Sequence, residues 1–517
     1  MTRGAAKVGH AVKARHAALA LIIGLVAHAP HASAGEIAEA AKNRDTTAVR
    51  AFIRKHVDIN APSGDGTPAL HWIVRVQDHE TARLLLKAGA KADLPNRYGM
   101  RPLHAAIANI DIEMVRLLLA AGADPSSTDA SGETCLMMAA RVGDVAIAKA
   151  LLDSGAPVDA RDATYQQTPL MLAVRSDSAA LVRLLIERHA DVNAQTRTGA
   201  TPAFRLPASN AGSKGAGIVR GGWPDRGERD PTPGAKTPLL YAARDGRADI
   251  AEVLLSAGAR IEQADADGVT PLLMALVNNQ LAVAALLVER GANVNASDWY
   301  GQTPLFVAVD VRNLDVPGPT HDNGVDRSVA LELIQQLLDR GADPNARTKE
   351  YPPQRRWITR IGSLSWVDFT GQTPFLRAAL AGDVTVMKLL MKYEADPSIA
   401  TFEGTTPLMA AAGVNWTVSQ TYDEGPQSLL EAVKLAYASG NDVNAVNSMG
   451  VRAIHGAANR GSDEIIKFLA EKGAALDVAD KQGRTPLVWA QGVFLATHPP
   501  QEKPTTVALL KQLQRIS

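Results

Sequence analysis

The chain has 517 residues with 54 basic and 54 acidic side chains, and it is 46% hydrophobic with only 4% aromatics. A formal charge of zero argues against a protein that binds nucleic acid through bulk electrostatics, and a single cysteine excludes an intrachain disulfide or a cysteine-rich zinc site. The length exceeds one compact domain, and a composition rich in Ala and Leu suits many small helix–helix contacts better than a sheet.

The amino terminus reads as an export signal. Arg3, Lys7, Lys13 and Arg15 form a basic leader with no acid before Glu36, an apolar run of 11 residues follows at 17–27, and Ala32-Ser33-Ala34 gives a small-x-small cleavage pattern. The run is too short for a membrane span, which needs about 20 residues. Cleavage after Ala34 is expected, which makes the protein periplasmic or secreted, from a bacterial source. The other reading keeps residues 1–34 as an anchor.

Residues 35–62 read as an amino-terminal cap, with two short amphipathic helices within 36–55. A 33-residue unit then recurs, and its cleanest copy is 265–297. Asp267-Gly268 marks a tight turn, because glycine tolerates positive φ. Thr270-Pro271-Leu272 opens a first helix that runs to Val277, with proline where a missing N–H does no harm. After a break at Asn278-Asn279, a second amphipathic helix extends from Leu281 to Glu289 and stops at Gly291, the expected left-handed position. Such a unit cannot bury its apolar face alone and needs a copy of itself on each side. The residue at the Pro271 position falls at Ala69, Pro102, Cys135, Pro169, Pro202, Pro238, Pro271, Pro304, Pro374, Pro407, Ala453 and Pro486, in steps of 33, 33, 34, 33, 36, 33, 33, 70, 33, 46 and 33.

These residues resemble ankyrin repeats. Arg101-Pro102-Leu103-His104-Ala105-Ala106 matches the family's Thr-Pro-Leu-His-x-Ala signature, with weaker echoes at 168–173, 237–242 and 406–411. The glycine that closes the second helix recurs at Gly89, Gly122, Gly155, Gly258, Gly291, Gly341 and Gly473. The resemblance covers roughly residues 35–494. It implies an all-α solenoid of stacked helix-turn-helix repeats with β-turn fingers along one edge. Contact with a protein partner is then expected over the fingers and the first-helix faces. It also implies that His71, His104 and His455, at the signature's fourth position, bond backbone within and between fingers. His189 and Glu394 stand where the glycine is expected, at a penalty of about 1 kcal/mol each.

Departures from the period are insertions. The first, near 203–236, is rich in Gly and Pro. Measured against the template, about 17 extra residues fall near 311–327 and about 13 near 414–426, both between helices, while about 20 near 348–367 enlarge a finger. The array spans 63–494, and 495–517 read as a carboxy-terminal capping helix.

Candidate partner-binding residues are the aromatic finger tips Tyr98, Tyr165, Trp299, Tyr300, Phe369 and Phe402, since stiff aromatic side chains dominate binding hot spots. Four of the seven tryptophans (Trp223, Trp357, Trp366 and Trp416) lie in insertions, where a flexible linker is normally poor in aromatics. The third insertion sets Arg347, Lys349, Arg355, Arg356 and Arg360 against Glu350, and arginine beside tryptophan suits an anionic or carboxylate-bearing partner. The candidates there are Arg355, Arg356, Trp357 and Trp366, with Trp223 in the first insertion. The competing reading is that these rings pack against the repeat stack.

No catalytic, cofactor or metal site is read. His79-Glu80 lacks a second histidine at zinc-helix spacing, and residues 212–217 lack the Gly-Lys-Ser/Thr ending of a phosphate loop. Asp124, Asp191, Asp343 and Asp396 recur as turn residues, and Cys135 reads as an inert core thiol. The expectation is a non-catalytic, monomeric, exported protein-binding scaffold, without cofactor, nucleic acid or stable membrane insertion once its signal is removed. Two rivals remain: an enzyme whose site the insertions form over the concave groove, and a membrane-tethered structural protein of the envelope.

Overall fold

The computed structural model describes residues 35–199, 234–314, 325–350, 367–368, 370–415, 424–493 and 500–516. Among them are 24 α-helices and no strand beyond one isolated bridge between Thr128 and Thr134. The chain divides into two compact units, Met1–Pro157 and Val158–Ser517. Residues 1–34, where the export signal is expected, lie outside the described residues.

Each repeat follows from local chemistry. Thr270 holds extended backbone and its Oγ1 accepts the Leu273 N–H at 3.3 Å, so the first helix, Pro271–Val277, starts capped. Thr168, Thr237, Thr303, Thr373, Thr406 and Thr485 cap their first helices in the same way. The second helix, Leu281–Glu289, is followed by Gly291 at φ +84°. His189 and Glu394 adopt that left-handed backbone too, at φ +66° and +65°.

Neither helix of a pair is long enough to be stable alone, and each gains its stability by stacking. In unit 1, Ala69–Arg75 packs between Glu36–Lys42 and Pro102–Ala108, and first helices stack on first helices throughout unit 2. The faces they share are largely apolar: Leu272, Leu273, Ala275 and Leu276 are at most 1% exposed.

Asparagine side chains stitch successive repeats together. In unit 2, Asn295 donates through Nδ2 to the Gly341 carbonyl at 2.8 Å and accepts the Asp343 N–H at 2.7 Å. Asn193, Asn345 and Asn444 repeat this two-way bond to the next repeat, and Asn60 makes it in unit 1. Each satisfies a carbonyl left open at a helix end.

Two sequence assignments change. Asn193 bonds to Gly258 and Arg260, and the pair that stacks on Pro169–Arg175 and Ala179–Glu187 is Pro238–Asp245 and Ala248–Ser256. The Thr-Pro at Pro202 lies outside the described residues. Chain entry and return at that insertion share one finger base, where Thr196 N–H donates to the Lys236 carbonyl at 3.1 Å and Lys236 N–H to Thr196 Oγ1 at 2.9 Å. Thr348 and Gln372 close the third insertion identically. The second correction concerns the surplus between helices. Val311 and Arg312 continue the first helix, Pro304–Arg312, and the second helices Arg327–Asp339 and Pro426–Ala438 run to 13 residues instead of nine. Part of the extra chain lengthens helices because a helical residue meets its own backbone hydrogen bonds.

Replacing Glu394 by glycine should relieve its left-handed strain and raise stability by up to about 1 kcal/mol. A shift of the urea midpoint in the stabilising direction, with the far-ultraviolet dichroism unchanged, is the expected result.

Candidate protein-binding surface

A finger begins with a side chain that folds the turn onto itself. Asp265 Oδ1 accepts the N–H groups of Asp267 and Val269, both at 3.0 Å. Asn96, Asp129, Asn447 and Asp480 do the same in their fingers. Successive fingers are then tied by backbone. In unit 2, Trp299 N–H donates to the Asp267 carbonyl at 2.9 Å, Lys349 N–H to Tyr300 at 2.8 Å, Phe402 N–H to Thr370 at 2.9 Å, Ser448 N–H to Glu403 at 2.8 Å and Lys481 N–H to Met449 at 2.9 Å. In unit 1, Arg97 N–H donates to Gly66 at 3.2 Å. There Gly66 is required, since a Cβ would lie 2.8 Å from Arg97. The finger edge is therefore a fixed ladder.

That ladder carries exposed rings. Tyr98 in unit 1 is 57% exposed, with the Arg97 guanidinium 4.8 Å from its centroid. In unit 2, Tyr165, Trp299 and Phe402 are 53%, 42% and 54% exposed. Trp299 and Phe402 share one register, each following the first residue of its finger. Arg347 lies 4.3 Å over the Phe402 ring and is locked there by bonds from Nε to the Gly371 carbonyl (3.2 Å) and from Nη2 to Ala400 (2.7 Å). The sequence marks Arg347 as basic but does not reveal this stacking. Val446, 52% exposed, is an apolar finger residue that carries no aromatic signal in the sequence.

Tyr300 is different. It is only 5% exposed and meets Trp299 edge to face at 5.1 Å, so it supports the neighbouring ring and is not itself offered to a partner. Trp223, Arg355, Arg356, Trp357, Trp366, Trp416 and Phe369 lie outside the described residues.

First-helix faces are less available than expected. In unit 2, Pro374–Ala381 and Pro407–Ala412 are buried at every position, and Pro304–Arg312 at every position but Asp310. In unit 1, by contrast, Ala69–Arg75 leaves Trp72 and Arg75 outside the core. A polar cluster lies within this buried part of unit 2. Arg312 Nε bonds Asp383 at 2.8 Å, Arg327 stands 3.5 Å from the same carboxylate and also pairs with Glu424, and Arg377 Nε bonds Asp310 at 2.7 Å. Arg312 and Arg327 donate to each other's carbonyl. Asp383 also caps Val384–Lys392 through the Val386 N–H at 3.1 Å. Each carboxylate is tied to a guanidinium and no nucleophile stands among them, so the arrangement fastens helices.

The histidines fall into place by tautomer. Arg101 N–H donates to His104 Nδ1 at 3.2 Å, so Nε2 carries the proton toward Ser127 Oγ, 3.3 Å away. His455 is likewise held by the Arg452 N–H and donates to the Val478 carbonyl at 3.2 Å, and His71 donates to Met100 at 2.9 Å. Burial pushes all three below their ordinary value. Burial likewise pushes the Cys135 thiol up to about 12, where it is unreactive. Asp124, Asp191, Asp343 and Asp396 each accept the N–H two residues on, at 2.8 to 2.9 Å, which makes them turn-forming residues.

Comparison with known proteins gives one family. A model described as "Ankyrin repeats (3 copies)" matches residues 37–129, 111–196, 223–298, 239–316 and 425–492. Another, described as "Ankyrin repeat", matches 300–349, and together they span more than half the chain. Among solved structures, the chain is similar to the ankyrin repeat domain of Bcl-3, described as a unique member of the IkappaB protein family. Identity is 26% over 47% of this chain and 94% of that one, with a TM-score of 0.37.

Two outcomes follow from this geometry. The folded-state values of His71, His104 and His455 lie below the 6.5 of a free side chain, so the unfolded chain binds protons that the folded chain refuses. Stability should be intact above pH 6.5 and fall as pH drops from there toward the folded-state values, and His104→Gln with His455→Gln should flatten the urea midpoint between pH 6.5 and 5. Replacing Asp383 by alanine strands Arg312 in the interior and uncaps a helix. A loss of about 3–5 kcal/mol is expected in equilibrium unfolding.

Proposed function

Because the chain belongs to the ankyrin-repeat family, whose members serve as protein–protein interaction scaffolds, we propose that it is an exported, non-catalytic scaffold that grips a protein partner along its finger edge. The observation that supports this most is the inter-finger ladder that fixes Trp299 and Phe402 in one register while leaving both rings in solvent. Rings held beforehand forfeit little ordering entropy when a partner docks, and aromatic side chains bring the area that hot spots need.

The partner that fits is acidic beside residues 347–360. Arg347 already sits on the Phe402 face, and Lys349, Arg355, Arg356 and Arg360 follow it in sequence against the single acid Glu350. A carboxylate-bearing segment would meet arginine forks there and stack on the neighbouring rings. Export to the periplasm is supported by the basic leader, the apolar run and the Ala32-Ser33-Ala34 pattern, with the mature monomer starting at Gly35.

Capture from an envelope extract tests this reading. The double variant Trp299→Ala/Phe402→Ala and the triple variant Arg355→Ala/Arg356→Ala/Trp357→Ala should each lower retention of the same partner at least tenfold, with melting temperature within a degree or two of the parent. Full retention by both variants would refute the finger reading, and a sequenced amino terminus at Met1 in the exported fraction would refute cleavage.

A further inference from the structure

Outer helices of neighbouring repeats in unit 2 pack along their length, as Leu281–Glu289 does on Arg327–Asp339 and Val384–Lys392 does on Pro426–Ala438. Arg327–Asp339 and Val384–Lys392 do not, although the first helices beneath them, Pro304–Arg312 and Pro374–Ala381, are closely packed. The two are instead tied at their ends. Arg327 stands 3.5 Å from Asp383 at the amino-terminal end. At the other end, Tyr393 donates its hydroxyl to Asp339, and Gln335 Nε2 donates to Asp339 at 3.0 Å and bonds the Tyr393 hydroxyl.

Between these ties lies a groove of about 570 Å³, lined by Leu331, Glu332, Gln335, Gln336, Thr385 and Leu389. On the helix Arg327–Asp339 its lining runs from Leu331 to Gln336, about 9 Å at 1.5 Å per residue, a length that seats roughly two helical turns. The same two helices carry Val329 and Met391 as exposed apolar residues, at 41% and 36%. Its one charged lining residue is Glu332, which has no hydrogen-bond or ion-pair partner among the described residues.

We propose that this groove is a second docking site and receives a short, cationic amphipathic helix of a partner protein. Leucine-like residues spaced i, i+3 or i+4, and i+7 would reach Leu331 and Leu389, and a lysine or arginine would answer Glu332. The proposal rests on the scaffold reading but places contact on the outer helices and away from the fingers. Buried first helices on the other side of these repeats leave the outer row as the accessible helical surface.

Two fluorescent helical peptides of 14 residues test it on the full chain by anisotropy. Both carry leucines at that spacing, one with lysines on its polar face and the other with glutamates. The lysine peptide should bind at least tenfold tighter than the glutamate peptide. Glu332→Lys should abolish or reverse the preference, and Leu331→Asp should weaken the lysine peptide at least tenfold. Glu431→Lys, on the next outer helix and ion-paired with Lys434 at 2.9 Å, alters the net charge equally and should leave binding unchanged. Equal losses in Glu332→Lys and Glu431→Lys would mean general electrostatics and would overturn the proposal. So would a sedimentation shift showing that Leu331→Asp breaks a dimer, since a second copy would then be the occupant. Peptide binding that Trp299→Ala/Phe402→Ala abolishes while the groove variants keep it would also overturn the proposal, leaving the finger reading intact.

Discussion

Everything in each unit depends on one constraint: a helix of seven residues and one of nine cannot stay folded without a neighbour. Their stability comes from apolar faces shared between repeats, and hydrogen bonds crossing the same boundary fix the spacing. The asparagine bridges are the clearest instance. Asn295 satisfies both a carbonyl and an N–H of the following repeat, so a shift of one repeat along the stack would break both bonds and misalign the buried leucines. In unit 2 the backbone bonds between fingers, such as Trp299 N–H to Asp267 and Phe402 N–H to Thr370, add a third tie. At Asn295 in unit 2 all three contacts meet: buried apolar faces, the asparagine bridge and a backbone bond between fingers. A ring such as Phe402 can then be exposed and still be fixed in position.

The legible part of this architecture is the part set by residues close in sequence. Threonine before proline caps a helix within three residues, and glycine ends one within two, so Leu281–Glu289 and the left-handed positions at His189 and Glu394 were readable directly. What stayed hidden was set by distant partners. Thr201-Pro202 has the right dipeptide and stands a full 33 residues after Pro169, yet Asn193 bonds across to Gly258 and Arg260. Tyr300 and Trp299 are adjacent in sequence, but one is buried under the other because the turn faces them in different directions. Counting residues against a template locates a surplus without saying whether it becomes loop or helix. At Val311 and Pro426 some of it became helix.

The buried charges of unit 2 show what an insertion asks of its repeat. Arg312 ends one helix and Arg327 begins the next, and each donates to the other's carbonyl, so the two ends of the intervening segment are pinned together. Burying a guanidinium so nearly completely is costly unless it is paired, and even a good buried pair contributes little net stability compared with apolar packing. The return is in specificity. Asp383 accepts from Arg312, stands beside Arg327 and caps its own helix, so a displaced helix would leave a charge unmatched in the interior. Arg377, anchored to Asp310 and to the Asn313 carbonyl, applies the same condition between first helices. Arg327 beside Asp383 at one end, and Tyr393 with Gln335 and Asp339 at the other, hold the outer helices Arg327–Asp339 and Val384–Lys392 together at their ends. The groove between them is thus set by the polar ties that fix the repeat.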